Sequence, residues 1–157
     1  MGFLNKFLGK KLDVNKQSSL SLIKDMYKNL TTEQKLAILG FEMAIANFAN
    51  GTIAKQNAYE CIELEMNILN ISETQFIQYA RNGGRRKLED IVAGLCLIKN
   101  RSILDNILYT GYCIANSCKN EQAFGFIFII FEQLGYTEDD IKNVIQKVNL
   151  LGKYLGI

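Results

Sequence analysis

The sequence predicts an all-α protein, a single-domain bundle of about seven to nine helices with an internal pseudo-two-fold repeat. Three observations carry that expectation. The 157 residues contain no proline, the residue that breaks helix interiors and punctuates loops, so long helices with short connections are favoured. Apolar residues recur with helical period along nearly the whole chain, as amphipathic helices require. Helix-start chemistry is also repeated: Thr31-Thr32-Glu33-Gln34 and Ser72-Glu73-Thr74-Gln75 both read as capping boxes, in which a hydroxyl and an amide side chain satisfy free backbone amides. A chain of this length fits one domain with a substantial core.

Residues 2–11 place Phe3, Leu4, Phe7 and Leu8 on one helical face, with Lys6, Lys10 and Lys11 elsewhere and no acid before Asp13. This is a small cationic amphipathic helix. It either packs Phe3 and Phe7 onto the domain or lies in a membrane interface. Lysines interrupt the apolar stretch a signal peptide needs, and Lys6 occupies the place where myristoylation wants Ser or Thr. The polar segment Asp13–Ser19 reads as a linker, setting residues 1–19 apart from a helical domain at 20–157.

Within that domain a helix is expected from about Leu20 to Leu30, on the stripe Leu20, Ile23, Met26 and Tyr27. Thr31 opens the next, which carries Leu36, Leu39, Phe41, Met43, Ile45 and Phe48 and stops at Asn50-Gly51, residues that tolerate left-handed backbone angles. A third runs from about Ala54 to Leu69, and Ser72 opens a fourth with Phe76, Ile77 and Tyr79. Asn82-Gly83-Gly84 is a turn, after which Arg85-Arg86-Lys87 lead into a helix with Leu88, Ile91, Val92 and Leu95. Asn100 is placed to cap the following helix, and residues 117–120 form a turn. The unbroken apolar run Ala123–Phe131 has strand-like composition. It is too short to span a bilayer, which takes roughly 20 residues, and a lone strand would leave its backbone groups unpaired. It is therefore read as the innermost, fully buried helix, ending at Gly135. Thr137 caps the last helix, and Glu138, Asp139 and Asp140 suit its dipole.

The absence of histidine removes imidazole acid–base chemistry, histidine metal ligation and histidine-dependent triads. Cys61, Cys96, Cys113 and Cys118 show no C-x-x-C pairing, so four reduced thiols in a cytoplasmic protein are expected, the first three buried and Cys118 partly exposed. Glu60, Glu63 and Glu65 lie close together on one helix, with no other catalytic residue type beside them, and read as a solvated face. No catalytic residue, metal ligand or cofactor is expected. Arg81, Arg85, Arg86 and Lys87 concentrate positive charge around the Asn82–Gly84 turn, where they can meet phosphate. Net charge is only +2 and a single aromatic, Tyr79, stands nearby, so nucleic acid is not an expected partner.

Two pairs of motifs recur at nearly one offset. Phe48-Ala49-Asn50-Gly51 resembles Ile114-Ala115-Asn116-Ser117, 66 residues on, and Leu69-Asn70-Ile71-Ser72-Glu73 resembles Leu134-Gly135-Tyr136-Thr137-Glu138, 65 residues on. This spacing over roughly Thr31–Leu150 resembles the TerB-like tellurite-resistance family, whose pattern is an Ala-x-Asp-Gly turn, a Glu seven residues past the Asp, and a later Leu-Gly-apolar-Ser/Thr turn. Leu134–Asp140 matches best. The resemblance implies a non-catalytic interaction module in a bacterial stress-response assembly near the inner membrane face, with an as yet unidentified protein partner. The interaction residues would be Phe3, Lys6, Phe7, Lys10, Arg81, Arg85, Arg86 and Lys87; an anionic membrane surface is the alternative partner. The family's carboxylate metal ligands are replaced by Asn50, Asn57, Asn116 and Ala123, which offer too little charge for a hard cation.

Overall fold

The computed structural model describes residues 14–81 and 87–155, with side chains described for 21–81 and 87–147. Among the described residues every regular element is a helix: α1 Val14–Tyr27, α2 Thr32–Ala46, α3 Gly51–Leu69, α4 Glu73–Arg81, α5 Leu88–Cys96, α6 Arg101–Cys118, α7 Gln122–Gln133 and α8 Glu138–Leu155. The all-α, single-domain helical bundle read from the sequence is observed, whereas the internal pseudo-two-fold repeat is not confirmed. Val14–Ser19, expected within a linker, instead forms the first turns of α1.

Local chemistry sets most of the helix ends. The Thr31 hydroxyl accepts from Gln34 N at 3.1 Å while the Gln34 side chain accepts from Thr31 N at 2.9 Å. Ser72 and Gln75 repeat the exchange, and Thr137 with Asp140 makes the same box before α8. Asn100 Oδ1 accepts from Ser102 N and Ile103 N. Caps of this kind stabilise a helix by about 1 kcal/mol each.

The two turns paired by the longer sequence match share one conformation. After α3, Asn70 takes a left-handed backbone (φ 56°) and Ile71 N–H donates to Met66 O; after α7, Gly135 takes φ 91° and Tyr136 N–H donates to Phe131 O. Both are helix-ending Schellman turns running straight into a hydroxyl cap. The shorter match behaves differently. Asn50 lies outside a helix as the residue before α3, whereas Asn116 and Ser117 lie inside α6. The expected turn at 117–120 accordingly begins only at Lys119, whose left-handed backbone (φ 55°) ends α6.

Packing centres on α2 and α6. α2 touches α3, α4, α5, α6 and α7, and α6 touches α2, α3, α7 and α8, whereas α1 rests principally on α3. The α2–α6 crossing is close at Gly111, where a Cβ would stand 2.9 Å from the Phe41 ring and 3.1 Å from Ile45. Phe41 is fully buried and meets Phe131 edge-on at 5.7 Å, so its ring has no room to retreat. The loops before α3 and α7 are joined as well: Asn50 Nδ2 donates to Lys119 O, and Asn120 Nδ2 donates to Phe48 O.

Several expected burials differ. α7 is helical but not fully enclosed: Ala123, Ile127, Ile130 and Phe131 are buried, while Ile129 is 49% exposed and Phe124, Phe126 and Phe128 are half-buried. Only one side of α7 faces neighbours, so apolar composition does not make it the innermost element. Cys118 is buried and donates to Ile45 O, Cys96 is exposed at the end of α5, and Cys113 is half-buried.

Gly111→Ala should therefore lower the free energy of unfolding by about 1–3 kcal/mol through overpacking. Gly125→Ala, on an open stretch of α7 with nothing within 4 Å, should raise it by about 0.5–1 kcal/mol through helix propensity. Urea denaturation of both variants reads the opposite signs.

Candidate functional site

α3 carries two distinct faces because it is covered unevenly. The half-buried Tyr59 and Met66 and the buried Ile62 stand beside Met43 of α2 and Phe76 and Ile77 of α4, lining an open apolar groove of about 570 Å³. Glu63 and Glu73 also line it, and both are exposed. Methionine is unbranched and polarisable and lines surfaces that adapt to a ligand.

A different face of α3 turns inward. Glu65 is 4% exposed and Glu42 of α2 is 0% exposed. Among the described residues, both oxygens of Glu42 and Oε1 of Glu65 have no hydrogen-bond partner. The Tyr27 hydroxyl, at the end of α1, donates to Glu65 and accepts from Asn106 Nδ2 of α6. Four helices thus converge on two carboxyl groups. Burial and mutual repulsion raise Glu42 well above the ordinary carboxyl range. Burial pushes Glu65 up to about 7, with the Tyr27 hydrogen bond acting the other way. An isolated buried carboxylate is expensive enough that the group takes up a proton instead. Burial also raises the neighbouring groups: the Tyr27 phenol well above its ordinary value, the Cys61 thiol to about 12, and the Cys113 thiol above the ordinary thiol value.

The solvated face expected for Glu60, Glu63 and Glu65 is thus correct only for Glu63. α3 is flanked by α1, α2 and α6, which cover Glu65 and leave Glu60 only 8% exposed; Gln56 Nε2 approaches Glu60 Oε1 at 3.5 Å. Glu42 was not singled out in the sequence. Its signal was its position as the one charge in the apolar stretch Leu36–Ala46.

Of the expected interaction residues, Arg81 ends α4 and Lys87 precedes α5, and both are exposed. Lys87 lines a smaller depression of about 260 Å³ with Phe48, Leu88, Ile91 and Phe126. Neither residue lines the larger groove. Phe3, Lys6, Phe7, Lys10, Arg85 and Arg86 lie outside the described residues. At the family's metal-ligand positions, Asn50 uses its amide to hold Lys119 O, Asn57 and Asn116 are exposed, and Ala123 is buried. Among the described residues, no helix is long and apolar enough to cross a membrane.

No protein-family model, curated protein or solved structure matches this chain. The TerB-like resemblance accordingly rests on the sequence motifs alone.

The carboxyl pair fixes the sign of a pH dependence. Carboxyls raised on folding contribute stability that is complete below the ordinary glutamate range and lost as pH rises through the folded value, about 7 for Glu65. Urea unfolding between about pH 5 and about pH 8.5 should show stability falling by a few kcal/mol in the wild type. The fall should be much smaller in Glu42→Gln/Glu65→Gln. A flat wild-type profile contradicts the assignment.

Proposed function

We propose that this chain is a non-catalytic interaction module of the TerB-like type, acting in a cytoplasmic stress-response assembly near a bacterial membrane. The observation that carries the reading is the groove between α2, α3 and α4, whose occupant is an amphipathic helix of a protein partner. Charge selects it: Glu63 and Glu73 favour lysine or arginine beside the apolar anchors, and rim charges act mainly on association rate and partner choice. Apolar anchors seated among Met43, Met66 and Phe76 supply the affinity.

A second reading, a peripheral protein binding anionic lipid, is favoured by Arg81 and Lys87, which are exposed at either end of residues 82–86. Each basic residue near an anionic surface contributes about 1 kcal/mol.

Affinity capture from the native host with the full chain should retain a partner that Ile77→Glu and Glu63→Lys each bind at least about ten-fold more weakly, a loss of about 1.4 kcal/mol, with the melting temperature unchanged. Equal capture by both variants removes the groove from the interface. Co-sedimentation with phosphatidylserine vesicles at low salt tests the second reading. Protein that stays in the supernatant excludes lipid binding, and pelleting that is lost in Arg81→Glu/Lys87→Glu supports it.

A further inference from the structure

Glu42 and Glu65 serve neither the groove nor the basic surface, and nothing so far accounts for two unpaired carboxyls at the junction of four helices. Buried polar groups are almost always partnered, so three orphan carboxyl oxygens in one place call for an explanation. A hard divalent cation gathers six or more oxygens. Here two carboxyls converge with one phenol and one amide, and among the described residues no three carboxylates or thiols are placed to hold a metal ion. The donor set falls short of a cation cage and suits protons.

We propose that the Glu42–Glu65 pair is a proton-dependent latch that holds α1 on the bundle when protonated and releases it when ionised. The pair lies under Tyr27, which is 1% exposed; among the other described side chains of α1, Ile23 and Met26 are half-buried and Leu22 is 68% exposed. α1 packs principally on α3, whereas α2, α3 and α6 are braced by several neighbours each. With both carboxyls protonated the junction is neutral. Removal of one proton leaves an anion that the Tyr27 hydroxyl can still serve. Removal of the second places like charges side by side in a dry core, and water must reach them. Lifting Tyr27 opens the route that disrupts least packing.

Among the described side chains, the titratable groups that act on the pair are Tyr27 from α1, Cys61 from α3 and Cys113 from α6; none of them carries a positive charge. Among the described residues, α4, α5, α7 and α8 contribute no charge to the surroundings of either carboxyl.

Hydrogen exchange of the full-length chain tests this at about pH 6 and about pH 8.5, with rates corrected for base-catalysed chemical exchange. In the wild type, protection of the α1 amides should fall at least about ten-fold between the two, the factor that corresponds to about 1.4 kcal/mol of local opening. α2 and α6 should hold their protection. Glu42→Gln, which keeps the shape of a protonated carboxyl, and Glu42→Gln/Glu65→Gln should keep α1 protected at both values. Unchanged α1 protection in the wild type overturns the latch. So does an equal loss in every helix, which would mark general destabilisation, or a loss in the double variant as large as in the wild type.

Discussion

The structure depends on the near-complete enclosure of α2. Five helices contact it, and the run Ala37–Glu42 is buried without interruption. A stretch covered on all sides cannot sort its residues into an inner and an outer face, so every side chain of Ala37–Glu42 must suit a dry interior. Nearly all do. Phe41 fits because Gly111 lets α6 approach its ring, and Ala37 lies against Gly94 of α5, where a Cβ would come within 2.8 Å of it. Glu42 is the exception, and its placement follows from the same enclosure.

From that exception follows the polar chemistry of the core. Among the described residues Glu42 has no cation to pair with, and the charged group that acts on it is another buried acid, Glu65. Proton uptake is the response that physical chemistry leaves to such a pair, and it makes the energetics of the junction of α1, α2, α3 and α6 depend on pH. The opposite face of the same constraint is seen on α3. Where α1 and α6 cover it, carboxyls are pressed inward; where only α4 leans over, the apolar residues stay open as a groove. A single helix thus supplies both the surface assigned to a partner and one half of the buried pair.

What was legible in the sequence was the chemistry that acts over a few residues. Thr31, Ser72, Asn100 and Thr137 cap helices as their neighbours require, and Gly135 ends α7 in the left-handed conformation its position demands. The all-α class follows from the same local signals. What was not legible was how many neighbours each helix face would meet. The Glu60–Glu65 stretch has the composition of a solvated face and is largely covered, whereas Ala123–Phe131 has the composition of a core and leaves Ile129 exposed. The Ala-Asn motif misled for a related reason: two residues of identity cannot distinguish a loop at Asn50 from the interior of a helix at Asn116. Glu42 was visible as an isolated charge, but its significance depended on Glu65, which lies on a different helix.

The carboxyl ¹³C resonances of Glu42 and Glu65, followed from about pH 4 to about pH 9, test the central claim directly. Both should remain protonated at about pH 6, with Glu65 changing near pH 7 and Glu42 held well above the ordinary glutamate range. Titration of both groups in the ordinary range near 4.3 would mean that the two side chains reach solvent, and would contradict the enclosed, proton-holding core described for this protein.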